Sequence, residues 1–588
     1  MAFYHDSRDI RCRNPFGAVR QGTTITISAR CDSAVTLRLW QDGSERLIPM
    51  TLRKSSDLWQ ASFSAGKVGI IWYYFIVGKD IYCAPADLLG GQSCLHKRGE
   101  RLDSHQITVY DAGFSAPEWM RESVMYQIFP DRFFDGRNGE LLKKRPEITI
   151  HTDKTEPPYV INDVGDSDPE HVRTDDFYGG NLPGIQQKLD YIKEMGFSAV
   201  YLNPIFQADS YHKYDTGDYE NIDPTFGSND DFVYLCESGR GLGIRFILDG
   251  VFSHTGSNSV YFNKNGKYPS LGAYQSKKSP YFSWYKFIKH PDEYDCWWDF
   301  ITLPNVNEMD PGYIRFILTG ENAVIKKWLR LGAAGWRLDV ADELPDEFIA
   351  TLRKSVKEAD PHAAIIGEVW EDATNKVSYG HLRSYAHGAG LDSVMNYPLR
   401  DALIAFLLGE GNSFFLKRKL DSQAENYPKD MYYSLMNLIG SHDRSRIINI
   451  LGECDDQRLT RQQQRDVTMS ESQYDTGKKR LKLMARAIFA LPGMPCVYYG
   501  DEAGLQGMRD PLCRAFFPWG LEDVELQSFF KGLIARRNER QVLKTGFVTV
   551  SAPHPDVIEI RRYYKGGKDA FGHSHGQDVF TVRIDRRL

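Results

Sequence analysis

The chain has 588 residues, 42% of them apolar and 26% charged, with a net charge of −6. That is the composition of a soluble globular protein with length for three or four domains. The charge leaves no electrostatic footprint for nucleic acid, and the longest apolar stretch, Val68 to Gly78, falls short of the about 20 residues that span a bilayer.

Residues 1–115 read as an all-β module. Thr23 to Ser28, Val35 to Trp40 and Trp72 to Val77 are β-branched and aromatic runs of strand length, separated by turn signals such as Asp42-Gly43, and closely spaced short strands predict a sandwich. Asp111 to Pro117 reads as a linker. From Val124 apolar runs alternate with helical stretches. The strand candidates are Val124 to Phe129, Ala199 to Leu202, Ile244 to Asp249, two runs ending near Asp339 and Glu368, Leu391 to Asn396, a run ending at Asp443, and Cys496 to Gly500. Amphipathic Ile185 to Met195, Ala323 to Arg330, Arg480 to Ala490 and Asp523 to about Leu543 supply helices. Repeated β-then-α order implies a parallel sheet, and eight units fit a (β/α)8 barrel. The expected organisation is a multidomain chain: an N-terminal β-sandwich (1–115), the barrel in two parts (116–252 and 321–543), a small inserted domain (253–320) over its mouth, and a short C-terminal β domain (544–588). The insert is too long for a simple βα loop. Its rows Trp297-Trp298 and Tyr281 to Tyr285 read equally as insert core or as a platform that stacks flat rings.

Three segments bring an acid to the end of a buried strand: Gly335-Trp336-Arg337-Leu338-Asp339-Val340, Ile365-Ile366-Gly367-Glu368-Val369-Trp370 and Leu438-Ile439-Gly440-Ser441-His442-Asp443. A buried acid is costly unless paired, and strand ends that deliver charge to one face are how such a barrel builds its active site. Taken alone, each would read as a structural ion pair; together they predict one site. Arg337, two residues before Asp339, shares its strand face, and its fixed charge is expected to keep Asp339 ionised.

These motifs, with Asp249-Gly250-Val251-Phe252-Ser253-His254, resemble the ordered signatures of the α-amylase superfamily of retaining glycosidases (glycoside hydrolase family 13). Leu303-Pro304-Asn305-Val306-Asn307, Gln127 to Phe133 and Tyr211 to Thr216 are similar to its neopullulanase, cyclomaltodextrinase and maltogenic amylase branch. The resemblance implies Asp339 as nucleophile, Glu368 as acid/base and Asp443 as the third acid, which hydrogen-bonds sugar hydroxyls and distorts the ring. It implies sugar contacts from His212, His254 and His442, stacking by Tyr214, support of the leaving-group side by Trp370, and glycone binding farther out by Asp510 and Arg514. Glu343 falls where this branch places a residue affecting acceptor choice. The implied substrates are cyclomaltodextrins, short maltodextrins and pullulan. An α-glucosidase or transglycosylase is the alternative, and a non-catalytic glucan-binding protein a remote one. The resemblance also implies a homodimer built through the N-terminal module.

Two departures bear on cofactors. Ser253 and Ser441 stand where the wider family has Asn before His. The loop Phe134 to Glu140 and the segment Tyr178-Gly179-Gly180-Asn181 stand where many members bind calcium, but Arg137 adds a positive charge and Asn181 removes a carboxylate. Calcium wants several anionic oxygens, so no cofactor is expected to be required and calcium binding is expected to be weak or absent. The N-terminal stretch Met1 to Asp9 carries charges and no apolar h-region, so it does not read as a signal peptide. Nine cysteines without regular spacing form no disulfide framework and predict buried free thiols in a reducing cytoplasm.

Overall fold

The computed structural model describes residues 3–54, 56–160 and 174–587; the first two residues of the N-terminal stretch lie outside them. Eight strands form one parallel sheet: β1 (Met125–Ile128), β2 (Ala199–Leu202), β3 (Arg245–Gly250), β4 (Gly335–Leu338), β5 (Ala364–Gly367), β6 (Ser393–Val394), β7 (Met436–Leu438) and β8 (Met494–Tyr498). Each pairs with its sequence neighbour from β1 to β6. β8 joins both β7 and β1, and a parallel bridge from Met395 to Met436 closes the ring between β6 and β7.

The sequence dictates this through strands that are apolar on both sides. One set of side chains, Met125, Tyr201, Ile247, Ile366, Met436, Leu438 and Met494, fills the barrel interior. The alternate set, including Val200, Phe246, Trp336 and Ile365, packs under the helices. Above the interior layer the inward positions turn polar. There Asp249 lies directly across from Arg337 in the β3–β4 register, and Glu368 follows the β4–β5 register, its N–H bonded to Leu338 O at 3.0 Å.

The N-terminal module is two antiparallel-rich sheets of four and seven strands around Ile25, Ile27, Leu37, Leu39, Phe63, Tyr73 and Phe75. Three antiparallel strands, Phe547–His554, Val557–Tyr563 and Val579–Asp585, form the C-terminal sheet. The segment between β3 and β4 has its own aromatic core, in which Trp284 and Tyr285 are buried, so the Tyr281 to Tyr285 row is insert core.

Four expectations change. The last helix, expected over Asp523 to about Leu543, is two, Val524–Glu539 and Gln541–Thr545, parted at Arg540. The stretch predicted as one helix over 185–195 is two, Leu182–Gln187 and Leu189–Met195; Lys188 (φ −100°, ψ 9°) breaks it where its ammonium sits over Phe134 and Trp519. The helix expected to begin at Arg480 begins a further two and a half turns earlier, spanning Glu471–Ala490, because Ser470 and Gln473 form a capping box. The thiols are free, but not all are buried: Cys94 is exposed and Cys296 half-buried, each lying at the edge of its module. Among the described residues no helix is long and apolar enough to cross a membrane.

Candidate active site

Arg337 is fully buried at the end of β4, and three carboxylates converge on it. Its Nη1 donates to Asp339 Oδ1 at 2.7 Å and to Asp249 Oδ1 at 2.8 Å, and Nη2 lies 2.8 Å from Glu368 Oε2. One guanidinium facing three acids cannot neutralise all of them. Burial pushes the Asp339 carboxyl well up, Glu368 and Asp249 add to that, and Arg337 pulls the other way. At Asp339 the single positive charge of Arg337 therefore works against burial and two neighbouring carboxylates. Asp249 has further donors, the hydroxyls of Tyr201 at 2.6 Å and Tyr214 at 3.0 Å.

Glu368 is fixed from both oxygens. Val340 N–H donates to Oε2 at 2.8 Å and the Trp370 indole N–H to Oε1 at 3.0 Å. Val340 holds a left-handed backbone (φ 36°), a conformation costly for a β-branched residue; it aims the N–H that follows Asp339 at the neighbouring strand's acid. Trp370 stacks on Tyr397 (centroids 4.1 Å apart, planes at 4°) and carries the Arg444 guanidinium 4.3 Å from its ring. Trp370 is thereby held in place beside Glu368 while remaining half-buried.

His442 belongs to a directed chain of hydrogen bonds. The Gln127 amide donates to Nδ1 at 2.9 Å, which leaves the proton on Nε2. Nε2 meets Tyr214 Oη at 2.5 Å and Asp443 Oδ2 at 3.2 Å, and Tyr214 passes its own proton to Asp249. Burial, with Arg514 and Arg337 nearby, holds His442 well below the usual imidazole range. His212 is lowered by burial and the same arginine; its Nδ1 accepts the Tyr214 N–H at 3.1 Å. Between them Lys213 adopts φ 64° and buries its ammonium 3.0 Å from Asp223, an anchored kink that sends both neighbours toward the barrel mouth.

His254 is buried, with Nδ1 bonded to Ser253 Oγ at 3.0 Å and, among the described residues, no hydrogen-bond partner on Nε2. Burial lowers it to about 4, which favours the neutral ring and leaves Nε2 to meet a ligand. Ser441 takes the Asp443 N–H at 3.1 Å and meets Tyr397 Oη at 3.0 Å. Asp443 is pushed up to about 7, first by burial and then by Glu368, against the pull of Arg514 and Arg337. Arg514 donates to His442 O at 3.0 Å, lies 3.4 Å from Asp443 Oδ1 and pairs with Asp510 at 2.8 Å. Glu343 stands apart from this centre and accepts the Trp298 indole N–H at 2.9 Å.

The structure thus brings Asp339, Glu368, Asp443, Arg337, His212, Tyr214, His254, His442 and Arg514 to one mouth, with Asp510 and Glu343 at its margins. Sequence reasoning gave no role to Asp249, Gln127 or Asn203, whose amide donates to Tyr214 Oη at 3.0 Å. Asp249 and Asn203 each end an apolar run, which was their signal, whereas Gln127 interrupts one between Tyr126 and Ile128. Glu308, directly after the Leu303 to Asn307 motif, was also passed over; burial, with Glu343 and Asp295 nearby, raises it to about 8.

In the loop and segment suggested for calcium, the side-chain oxygens are engaged by N–H donors. Asp135 accepts from Arg137 N–H, Gly139 N–H and the Asn181 amide. Asn181 Oδ1 caps the helix Leu182–Gln187 through Gly184 N–H at 2.9 Å and also accepts from Gly136. Among the described residues no group of three or more His, Cys, Asp or Glu side chains is arranged to hold a metal.

Residues 127–554 match the family model described as alpha amylase, catalytic domain. Over 99% of its length the chain is 38% identical to an amylopullulanase from Thermoanaerobacterium saccharolyticum, of which it spans 48%, about half. It is 33% identical to a cyclomaltodextrinase from Thermoanaerobacter pseudethanolicus, covering 89% of this chain and 83% of that one. Among solved structures it is similar to a cyclic α-maltosyl-(1→6)-maltose hydrolase from Arthrobacter globiformis, with a TM-score of 0.63 and 28% identity over 76% of this chain and 89% of that one. The chain therefore belongs to the α-amylase catalytic-domain family.

Proposed function

We propose that this protein hydrolyses α-1,4-glucosidic bonds with retention, acting on cyclomaltodextrins, short maltodextrins and pullulan. The observation that carries the reading is the shared guanidinium. Asp339 and Glu368 bond to adjacent nitrogens of Arg337, which keeps them close, as the roughly 5–5.5 Å separation of retaining enzymes requires. Glu368 gives a proton to the glycosidic oxygen while Asp339 attacks the anomeric carbon. Water then enters, loses a proton to Glu368 and releases the sugar from Asp339. His254 Nε2, His442 and Asp443 meet hydroxyls of the sugar being cleaved, and Arg514 with Asp510 holds the chain farther along. The names of the relatives, amylopullulanase and cyclomaltodextrinase, support an α-glucan substrate.

The test is initial rates on β-cyclodextrin, maltotriose, pullulan and soluble starch, with products resolved, for the wild type and Asp339→Asn. Fast opening of cyclodextrin, with starch slow, is expected, and Asp339→Asn should lower kcat by about 10⁴-fold or more while retaining binding. Turnover that survives this substitution would misplace the nucleophile. Glucose release from maltotriose with cyclodextrin untouched would move the protein to an exo-acting α-glucosidase. We further infer a cytoplasmic homodimer, which a monomeric mass by light scattering at micromolar concentration would contradict.

A further inference from the structure

The exposed Cys94 is not a lone thiol. It opens the two-residue strand Cys94–Leu95, the edge of the larger sheet of the N-terminal module. Directly across the antiparallel ladder stands Cys83, the last residue of the strand Asp80–Cys83. Residues paired in this way have Cα atoms about 4.5–5.5 Å apart and side chains on one face, inside the roughly 4.4–6.8 Å that a disulfide spans. The sulfur is turned across the ladder: Cys94 Sγ lies 3.8 Å from Cys83 O and 3.6 Å from Ala84 O. Both thiols are free. Cys83 is buried, but not as a filler of the core. Tyr82 faces the apolar centre of the module, so Cys83, next along the strand, faces the other way. Burial, and then the Cys94 thiol beside it, push the Cys83 thiol up to about 11, so Cys83 holds its proton while Cys94 meets solvent.

Residues 84–93, between the two cysteines, form a strap with contacts on two sides. On one side the strap holds the segment from His5 to Ser7. Ser7 N–H donates to Gly91 O at 3.1 Å, Gly91 N–H to Ser7 Oγ at 2.9 Å, and Ser93 N–H to His5 O at 2.8 Å. On the other side it meets the barrel. Asp87 lies 2.6 Å from Arg418 of the helix Ser413–Asn426. Leu89 O accepts from Arg8, which also bonds Glu425 of that helix. At Gly90 (φ 72°) a Cβ would come within 2.7 Å of the Glu425 carboxylate, so glycine is what lets the strap approach this closely. A bond from Cys83 to Cys94 would close the strap at its root. Such a bond restricts the opened and unfolded chain and leaves these contacts in place.

We propose that Cys83 and Cys94 are a site of reversible oxidation, a dithiol that hydrogen peroxide converts to a disulfide and small thiols reopen, tying the strap by which the N-terminal module grips the barrel. Cys94 Sγ attacks the peroxide O–O bond, becoming a sulfenic acid and releasing one water. Cys83 Sγ then attacks that sulfur. Its S–H bond and the S–OH bond break, the S–S bond forms and a second water leaves. Two electrons pass from the pair of thiols to each peroxide. A small thiol reverses the change by attacking Cys94, the exposed sulfur, which frees Cys83 and leaves a mixed disulfide. A second small thiol then releases Cys94, and the two small thiols depart joined as their own disulfide. The site lies in the N-terminal module, so it stands apart from the assignment of Asp339 and Glu368.

The experiment treats the full chain, as wild type, Cys83→Ser and Cys94→Ser, with hydrogen peroxide. Remaining thiols are then alkylated in denaturant, and intact mass and peptide maps are read. Wild type should lose two hydrogens, give a linked peptide pair containing Cys83 and Cys94, and return to the starting mass in dithiothreitol. Each serine variant should lose that linkage, and Cys83→Ser should stop at an oxygenated Cys94. Wild-type Cys94 oxygenated while Cys83 is still alkylated would overturn the inference. The strap is read by hydrogen exchange. Amides within 84–93 should exchange about tenfold more slowly after oxidation in wild type, because local opening is restricted, and at an unchanged rate in Cys94→Ser. A linked protein with unchanged exchange in this segment would overturn the part assigned to the strap.

Discussion

At the residue scale, the site concentrates negative charge in a place where folding would not put it. Asp443 shows the consequence most simply. With its carboxyl pushed up to about 7 from an ordinary value near 4, the folded protein holds a proton that the unfolded chain has already lost between those limits. Stability from this group is therefore greatest at the acid end of the window and declines as pH rises through about 7. Asparagine keeps the shape and never ionises. Asp443→Asn should raise Tm by about 2 °C at pH 8 and by clearly less at pH 5, while kcat falls. Calorimetry at the two pH values decides it, and an equal shift at both would remove the charge from the explanation. The companion loss of activity would show that the carboxylate is kept for the reaction at the expense of the fold.

At the scale of elements, the loop after β1 is the place where likeness to a family and local chemistry part. Asp135 and Asn181 spend their oxygens on backbone N–H groups and on each other, and Arg137 turns outward to Asp231 at 3.5 Å. The loop should hold its shape without a cation: Tm in excess EDTA is expected within about 1 °C of Tm in millimolar calcium, since ligand stabilisation scales with occupancy. A drop of many degrees on chelation would show a site that these contacts do not describe. The same scale shows what was legible in the sequence. The barrel strands were legible as mostly apolar runs, because a strand buried on both faces carries few polar residues, and Asp249, Asp339 and Glu368 each lie at or just past the C-terminal end of one. The i, i+2 relation of Arg337 to Asp339 was legible for the same reason. The break at Lys188 was not, because it depends on Phe134 and Trp519, distant in sequence. Nor were the left-handed positions Val340, Trp298 and Tyr379, since no Gly or Asn marks them. Trp370 was placed at the site by its motif, but its stacking on Tyr397, the first residue of the helix Tyr397–Leu408, is a contact that no local pattern encodes.

At the scale of the whole molecule, the N-terminal module is held to the barrel by charge as well as by apolar contact. Glu425, near the end of the helix Ser413–Asn426, is buried and accepts Arg8 Nε at 3.0 Å, while Arg13 Nη1 lies 3.0 Å from its other oxygen. Arg13, also buried, gives the same nitrogen to Gln106 O at 2.9 Å; Arg8 reaches Asp421 at 3.3 Å as well. Removing one partner of a buried pair leaves the other charge uncompensated and costs about 3–5 kcal/mol, whereas replacing both by apolar groups of similar size is near neutral. Glu425→Gln should therefore split thermal unfolding, with the N-terminal module melting first and the barrel near its original temperature. The pair Arg13→Met with Glu425→Met should restore a single transition, because Arg8 keeps Asp421. Scanning calorimetry reads both. A single unshifted transition in Glu425→Gln would mean that apolar packing alone couples the modules. Failure of the double replacement to recover would mean that the arginine's bond to the Gln106 carbonyl, and not its charge pairing, is what holds the sandwich in place.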